Sequence, residues 1–213
     1  SDVCSSDLGP RPNQREVVTV VTAILTFLCV LQVLPPVLAG QNPTLIIANI
    51  LPGLQFAFVV EPLGMMFALI ASFLWIVTSF YAIGYMRGHN EPNQTRFYMC
   101  FAIAISSAIA VAFSGNMLTL FIAYEVLTLS TYPLVTHNQD EEAKRAGRTY
   151  LGILLTSSIG LLLVAILWTW FAAGTLDFTK GGILKDKIDD GLVIVMLFLY
   201  MYGIGKAALM PIH

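Results

Sequence analysis

Six long runs of apolar residues dominate this chain of 213 residues. A helix needs about 20 predominantly apolar residues to cross roughly 30 Å of hydrocarbon. Segments approaching that length cover 17–38, 63–83, 97–113, 117–135, 149–172 and 192 to the last residue. Hydrophobic residues make up 57% of the chain and charged residues 11%, with a mean hydropathy of +0.77. The sequence therefore predicts an all-α, polytopic transmembrane helix bundle of about six spans and argues against a water-soluble fold.

The connections between these runs also carry structural information. The stretch 45–60 is apolar, but Pro52 and Gly53 interrupt it, so we interpret it as a buried hairpin or re-entrant piece rather than a span. Only Ser114, Gly115 and Asn116 separate two of the predicted spans. Those spans should form a tight helical hairpin.

Both ends of the chain give the impression of having been cut. Residues 1–8 resemble the translation of a sequencing adapter, and we expect them to be foreign to the native protein. At the other end the chain stops at His213, inside an apolar segment without a cap or polar tail. We therefore expect residues 9–213 to be the N-terminal part of one transmembrane domain, truncated at both ends.

Basic residues are distributed unevenly between the two sides of the predicted bundle. One side holds seven and the other three, namely Arg11, Arg15, Arg87, Arg96, Lys144, Arg145 and Arg148 against Lys180, Lys185 and Lys187. The connection 39–62, on the second side, contains no basic residue. Since cytoplasmic loops carry an excess of Lys and Arg, we expect the connection 138–148 to face the cytoplasm.

Among the Asp, Glu, Lys and Arg residues, two lie inside the predicted spans, Glu125 and Lys206. At 1.5 Å per residue, Glu125 is about 12 Å from one end of its predicted helix and about 15 Å from the other, near the bilayer midplane. A charge at that depth costs several kcal/mol unless it is paired or neutralised, so it marks a functional site. A Glu and a Lys on different helices can form and break a pair as the helices move. We expect Glu125 and Lys206 to act as a proton switch.

Each of these residues has a less specific interpretation. Glu125 could be a protonated acid that bonds Ser130, Thr128 or a main-chain carbonyl for packing alone. Lys206 could extend to the membrane interface, because the end of its helix is not seen. Gly203 and Gly205 allow the helix of Lys206 to distort, or they allow close helix packing.

Other candidate positions are secondary to this pair. His213 lies about two helical turns beyond Lys206 and could continue a proton relay. Ser157, Ser158 and Gly160 form a small-residue strip that helix packing explains. Glu61 stands at the mouth of the second span, where we expect an interfacial position.

Soluble cofactor chemistry is not expected of this chain. The sequence has no nucleotide-binding glycine loop, no HExxH and no paired cysteines, so no cofactor or metal site is predicted. The net charge of −2 gives no reason to expect a nucleic-acid partner.

Two runs of sequence resemble a known family. FIAYEVLTLSTYP at 121–133 contains Glu125, and GKAALMPIH at 205–213 contains Lys206. Both resemble the antiporter-like membrane subunits shared by Mrp-type multisubunit cation/proton antiporters and by proton-pumping NADH:quinone oxidoreductase (complex I). The spacing of 81 positions between Glu125 and Lys206 is most similar to that of the D-type Mrp subunit. The resemblance covers nearly everything from Val17 onward.

This resemblance implies an inverted-repeat bundle of about fourteen helices. It also implies a gating pair, a glutamate on the fifth helix and a lysine on the seventh, broken helix. Glu125 and Lys206 match those two positions, so the six predicted spans correspond to helices two to seven. The family continues with Trp-Leu-Pro and a second repeat, which this sequence does not contain.

The expected function is proton or cation/proton translocation by a subunit of an Mrp-type antiporter in the cell (inner or plasma) membrane. Its expected partners are other membrane subunits, the lipid bilayer and protons, with Na⁺ as a second candidate ion. The alternative is a membrane-arm subunit of complex I or of a related membrane-bound hydrogenase, whose quinone and nucleotide chemistry lies in other polypeptides. A third possibility is a structural scaffold, in which Glu125 and Lys206 are replaceable.

Overall fold

The computed structural model describes residues 12–51, 54–89, 93–137, 140–184 and 187–205. Within these ranges the chain forms helices and one pair of strands, in the order α1 (Pro12–Leu38), β1 (Thr44–Leu51), β2 (Leu54–Val59), α2 (Pro62–Gly88), α3 (Gln94–Ala112), α4 (Met117–Val135), α5 (Glu141–Ser157), α6 (Val164–Ala173) and α7 (Asp190–Gly203). A π-helical segment, Ser158–Leu163, joins α5 to α6, so that one continuous helix runs over Glu141–Ala173.

The predicted all-α transmembrane architecture is confirmed for the spans. In the described ranges, five helices are long and apolar enough to cross a membrane, and together they form a multi-pass bundle. The fifth of these is the continuous helix built from α5, the π-helical segment and α6. α7 is the start of the sixth predicted span. The rest of that span, with Lys206 and His213, lies outside the described residues, and so do residues 1–8.

Neighbouring helices in the sequence are also neighbours in space. α1 packs on α2, α2 on α3 and α3 on α4, while α7 packs on the π-helical segment. One buried cluster between α1 and α2 contains Val30, Val37, Met65 and Ala68. The outer surfaces keep many large apolar side chains exposed, which is the arrangement expected where helices face lipid.

The apolar stretch after α1 is a β-hairpin. β1 and β2 pair antiparallel from Thr44 with Val59 to Leu51 with Leu54. The expectation of a buried piece is wrong for β1, whose residues 44–50 are exposed, and it holds only in part for β2, where Ala57 is buried. Branched and aromatic side chains favour strands, and pairing satisfies the main chain without a helix.

Hydrogen bonds join β2 to the turn between α3 and α4. Val59 N donates to Phe113 O at 2.7 Å, and Gly115 N donates to Ala57 O at 2.9 Å. Asn116 is 2% exposed, and its Nδ2 donates to Gln55 O at 2.6 Å while its Oδ1 accepts from Thr119 N at 2.9 Å. The tight hairpin predicted for α3 and α4 is thus held from one end by the strand.

The start of α5 corrects one sequence-based boundary. The sequence predicts a connection over 138–148, but the helix begins at Glu141 and carries Lys144, Arg145 and Arg148 in its first turns. Asp140 is the N-cap, its Oδ1 accepting from Ala143 N at 2.7 Å, and Glu141 and Glu142 lie in the first turn. Acidic residues at this end compensate the helix dipole, so the helix extends beyond its apolar part.

Asn116→Ala should lower the stability of the protein by about 1–3 kcal/mol, because it leaves Thr119 N buried without its acceptor and removes the hydrogen bond to Gln55 O. The measurement is the thermal unfolding midpoint in detergent. Asn49→Ala, at an exposed position of β1, is the control and should leave the midpoint unchanged. Equal midpoints for the two variants would contradict the assigned role of Asn116.

Candidate functional site

Glu125 lies in the middle of α4, on a helix that Asn116 caps at its start. Its side chain is partly buried, and Oε1 is fully shielded from solvent without a hydrogen-bond partner among the described residues. A buried carboxylate oxygen without a donor is costly, so the carboxylate needs a proton, a cation or a water molecule. The carboxylate of Glu125 therefore lies where a bound proton, cation or water molecule would stabilise it.

The packing interpretation of Glu125 gains no support from its neighbours. Thr128 Oγ1 donates to Tyr124 O at 2.9 Å, and Ser130 Oγ donates to Leu127 O at 2.9 Å. Both hydroxyls use their protons on the main chain of α4 itself. Neither of them donates to Glu125.

The residue before Glu125 connects α4 to the second buried cluster. Tyr124 is 8% exposed and belongs to one cluster with Leu162, Ile166 and Leu176. Leu162 lies in the π-helical segment and Ile166 in α6. The middle of α4 is therefore packed with the part of the following helix that departs from regular α geometry.

α7 ends against this same π-helical segment. A Cβ added at Gly203 would lie 2.7 Å from both Leu162 N and Leu162 Cβ. A Cβ added at Gly205 would lie 2.5 Å from Ser157 Oγ. Close packing describes both glycines, since Gly203 meets the backbone of Leu162 and Gly205 meets the side chain of Ser157. The distortion expected around Lys206 stays a prediction. Lys206, which follows Gly205 directly in sequence, lies outside the described residues, as does His213.

A tyrosine fixes α7 in this position. Tyr200 OH lies 2.6 Å from Thr169 Oγ1 of α6, and it also approaches Ala165 O at 3.3 Å and Met117 Sδ of α4 at 3.2 Å. Thr169 is fully buried. This contact could not be found from sequence because it depends on three helices meeting; a tyrosine and a threonine in apolar helices are its only sequence signal.

The π-helical segment has no counterpart among the sequence-based predictions either. Ser158 is fully buried, and its Oγ donates to Leu154 O at 2.9 Å. Short π segments inside α-helices are rare and frequent at functional sites. We expected Ser157, Ser158 and Gly160 to pack against another helix. Ser157 and Ser158 are buried, but the expectation is wrong for Gly160, which is exposed and has no atom within 4 Å of an added Cβ.

A second group of polar residues lies at the end of the bundle away from the β-hairpin. We call it the basic end, and it consists of Arg15, Arg87 and Arg96 with their partners. Arg87 binds both carboxylate oxygens of Glu16, with Nε at 2.8 Å from Oε1. Arg15 Nη2 donates to Gln94 Oε1 at 2.5 Å. These contacts join the start of α1, the end of α2 and the start of α3.

Two contacts complete the basic end. The guanidinium of Arg15 lies 5.7 Å from the ring centre of Tyr98. Arg96 Nη2 donates to His137 O at 3.1 Å, which ties α3 to the end of α4. The sequence-based boundary puts Glu16 outside the spans, but this residue lies within α1 and is 6% exposed. Its partner is 71 positions away in sequence, so no local signal could reveal the pairing.

Metal ligation has no site in the part of the chain that the structure describes. There, no group of three or more His, Cys, Asp or Glu residues stands close enough to hold an ion.

Comparison with known proteins decides the family. Residues 114–213 match the family model described as NADH:quinone oxidoreductase/Mrp antiporter, TM, and residues 52–98 match the one described as NADH-ubiquinone oxidoreductase (complex I), chain 5 N-terminus. This chain belongs to the antiporter-like membrane subunit family. The first match contains both Glu125 and Lys206.

Individual relatives of the family agree with this assignment. The chain is 28% identical over 172 residues to hydrogenase-4 component B of Escherichia coli, covering 79% of this chain and 25% of the relative. It is 29% identical over 156 residues to a Staphylococcus aureus protein named as an antiporter subunit (mnhA2), covering 72% of this chain and 19% of the relative. The chain thus spans a quarter or less of these antiporter-like relatives.

A solved structure supports the antiporter-like fold. The Mrp complex from Dietzia sp. DQ12-45-1b contains a chain that superimposes with a TM-score of 0.77 at 18% identity. The match covers 95% of this chain and 38% of that one. At this identity the likeness establishes the fold alone.

Gly203→Ala should separate α7 from the π-helical segment, because a Cβ there meets the backbone of Leu162. We expect a lower unfolding midpoint in detergent, equivalent to about 1–3 kcal/mol. Gly160→Ala, in the same π-helical segment but facing open space, is the matched control and should leave the midpoint unchanged. If Gly203→Ala is as stable as Gly160→Ala, α7 does not pack as described.

Proposed function

We propose that this chain is part of a proton-translocating subunit of an Mrp-type cation/proton antiporter, in which Glu125 and Lys206 form a gating pair. One observation carries the proposal: Glu125 holds a shielded carboxylate oxygen without a described partner in the middle of a membrane-spanning helix. Such a group is stable only with a proton or a cation nearby. The residue therefore has the chemistry of a proton-binding site.

The position of α7 supports Lys206 as the second member of the pair. Gly205, its predecessor, packs on Ser157, and α7 ends two residues earlier at Gly203. Loss of regular helix at this point frees main-chain groups and allows the following residues to change position. An ammonium that approaches the Glu125 carboxylate favours its charged form, and one that withdraws favours its protonated form. His213 remains the candidate for the next relay position.

Several finer assignments are part of the same proposal. The assignment to the D-type Mrp subunit rests on the spacing between Glu125 and Lys206, while the Staphylococcus aureus relative carries the name mnhA2. The proposed partners are other membrane subunits, because the Mrp structure of similar fold is a complex. Protons are the proposed ions, with Na⁺ as a second candidate.

A membrane-arm subunit of complex I or of a related hydrogenase is the second candidate function. Both family-model descriptions name an NADH oxidoreductase, and one relative is named a hydrogenase component. The gating pair would then pump protons while redox chemistry takes place in other polypeptides. Neighbouring genes discriminate between the two, since small Mrp-type subunits favour the antiporter and Fe–S or flavin subunits favour the oxidoreductase.

We also propose that the basic end faces the cytoplasm of a cell with this protein in its inner or plasma membrane. Arg15, Arg87 and Arg96 lie at one end of the bundle, where they bond Gln94 of α3, Glu16 of α1 and the main chain of His137 after α4, respectively. The excess of basic residues on that side is the physical basis of the orientation.

Glu125→Gln in the complete parent protein should reduce proton flux to the level of protein-free vesicles while leaving membrane abundance unchanged. The amide keeps the shape of the side chain but cannot exchange a proton. Flux is measured in everted vesicles with a pH-sensitive dye and normalised to the amount of protein. Glu142→Gln, at an exposed position in the first turn of α5, is the control and should retain wild-type flux.

Lys206→Ala should give the same loss, because either partner alone is left without the group that sets its protonation. Retention of wild-type flux by Glu125→Gln at wild-type abundance would exclude Glu125 as a transport residue and favour the structural scaffold. If Glu125→Gln loses proton flux but Lys206→Ala does not, Glu125 is a proton-binding acid that does not act in a pair with Lys206.

Cysteine labelling tests the orientation. In the parent protein without its native cysteines, a cysteine at Asn138 should resist an impermeant maleimide in intact cells, because that side of the bundle faces the cytoplasm. A cysteine at Gln41, an exposed residue between α1 and β1, should be labelled under the same conditions. The reverse pattern would invert the topology.

A further inference from the structure

An open groove runs along the outside of the bundle between the first half of α2 and the C-terminal part of α3. Its volume is about 780 Å³, within the range of about 300–1,000 Å³ that small-molecule sites occupy. The walls are apolar, with Leu63, Ala71 and Leu74 from α2 and Ala108 from α3, and Phe178 flanks the groove. It lies at the end of α2 away from Arg87 and is separate from Glu125.

A carboxylate stands at the mouth of this groove. Glu61 occupies the N-cap position of α2, is exposed and does not cap the helix with its side chain. Its main-chain oxygen accepts from Met65 N at 2.8 Å, but its carboxylate takes part in no hydrogen bond or ion pair with the described residues. The mouth therefore presents a negative charge with no described partner next to an apolar channel.

The length of the groove limits what can fill it. From Glu61 to Leu74 the helix rises about 20 Å at 1.5 Å per residue. One leaflet with its headgroup region is half of the whole bilayer, about 20–22 Å deep. α2 continues well past the groove to Gly88. The length of the groove therefore matches one lipid molecule in a single leaflet.

We propose that the groove binds one phosphatidylethanolamine molecule. The ammonium of its headgroup pairs with the Glu61 carboxylate, and an acyl chain lies along Ala71 and Ala108. Charge decides between lipids of similar chain length, because phosphatidylglycerol offers no cation and is repelled by Glu61. A quinone also fits an apolar groove but brings no cation to its mouth.

Native mass spectrometry tests this proposal on the full-length parent protein in its complex. The complex is first delipidated and then given equal amounts of phosphatidylethanolamine and phosphatidylglycerol. The wild type should retain phosphatidylethanolamine in preference by about two- to fivefold, the size of an exposed ion pair. Glu61→Gln should abolish the preference. Ala71→Phe fills the groove and should retain one lipid fewer, whereas Val77→Phe, an exposed position on α2 beyond the groove, should behave as wild type.

A photocrosslinking amino acid at Leu63 identifies the occupant in native membranes. An adduct with the mass of phosphatidylethanolamine supports the proposal. An adduct with a polypeptide or with a quinone overturns it. The proposal is also refuted if the wild type retains the two lipids equally, or if Ala71→Phe and Val77→Phe retain equal numbers of lipids. Glu61 is exposed, so Glu61→Gln still tests the proposal if Ala71→Phe does not fold.

Discussion

The absence of water from the hydrocarbon core governs this structure, because every main-chain N–H and C=O there must bond within the protein. Long helices meet that requirement internally, so the spans are regular over most of their length. The irregular parts are each held by specific bonds. The turn of Ser114, Gly115 and Asn116 shares its hydrogen bonds with β2, and the start of α4 takes another, from Met117 N to Leu176 O at 3.0 Å. The turn is thus bonded to β2, and the start of α4 is bonded to Leu176 in the connection after α6.

The same constraint gives the π-helical segment its importance. A π turn accommodates one additional residue and loosens the regular bonding of the helix around Ser158–Leu163. α7 ends against it at Gly203, Gly205 packs on the adjoining Ser157 of α5, and Tyr200 holds the helix one turn earlier by its bond to Thr169. An irregular helix, a helix end and a partly buried tyrosine therefore meet within about two turns of one another.

Much of this fold could be predicted from the sequence because bilayer thickness sets helix length. Five predicted spans, 17–38, 63–83, 97–113, 117–135 and 149–172, lie almost entirely inside observed helices. Features that depend on distant partners could not be predicted. The burial of Glu16 depends on Arg87, the hairpin depends on pairing between two apolar runs, and the π turn leaves no trace in a helix that is apolar on all sides. At the candidate site, the chemistry of Glu125 was visible in sequence, but the packing of its neighbour Tyr124 with Leu162 and Tyr200 was not.

Two acids with shielded oxygens, Glu16 and Glu125, illustrate how shielding from solvent alone fails to identify a functional carboxylate. Glu16 is 6% exposed, and a guanidinium binds both of its oxygens, so its charge is compensated in place and it links two helices. Glu125 lies deeper in a span, and its shielded oxygen has no such donor among the described residues. A compensated acid gains nothing from changing its protonation, whereas an uncompensated one must exchange a proton or meet a cation as its surroundings change. The difference in partners, rather than in exposure, distinguishes an acid that links two helices from the acid that we propose exchanges a proton.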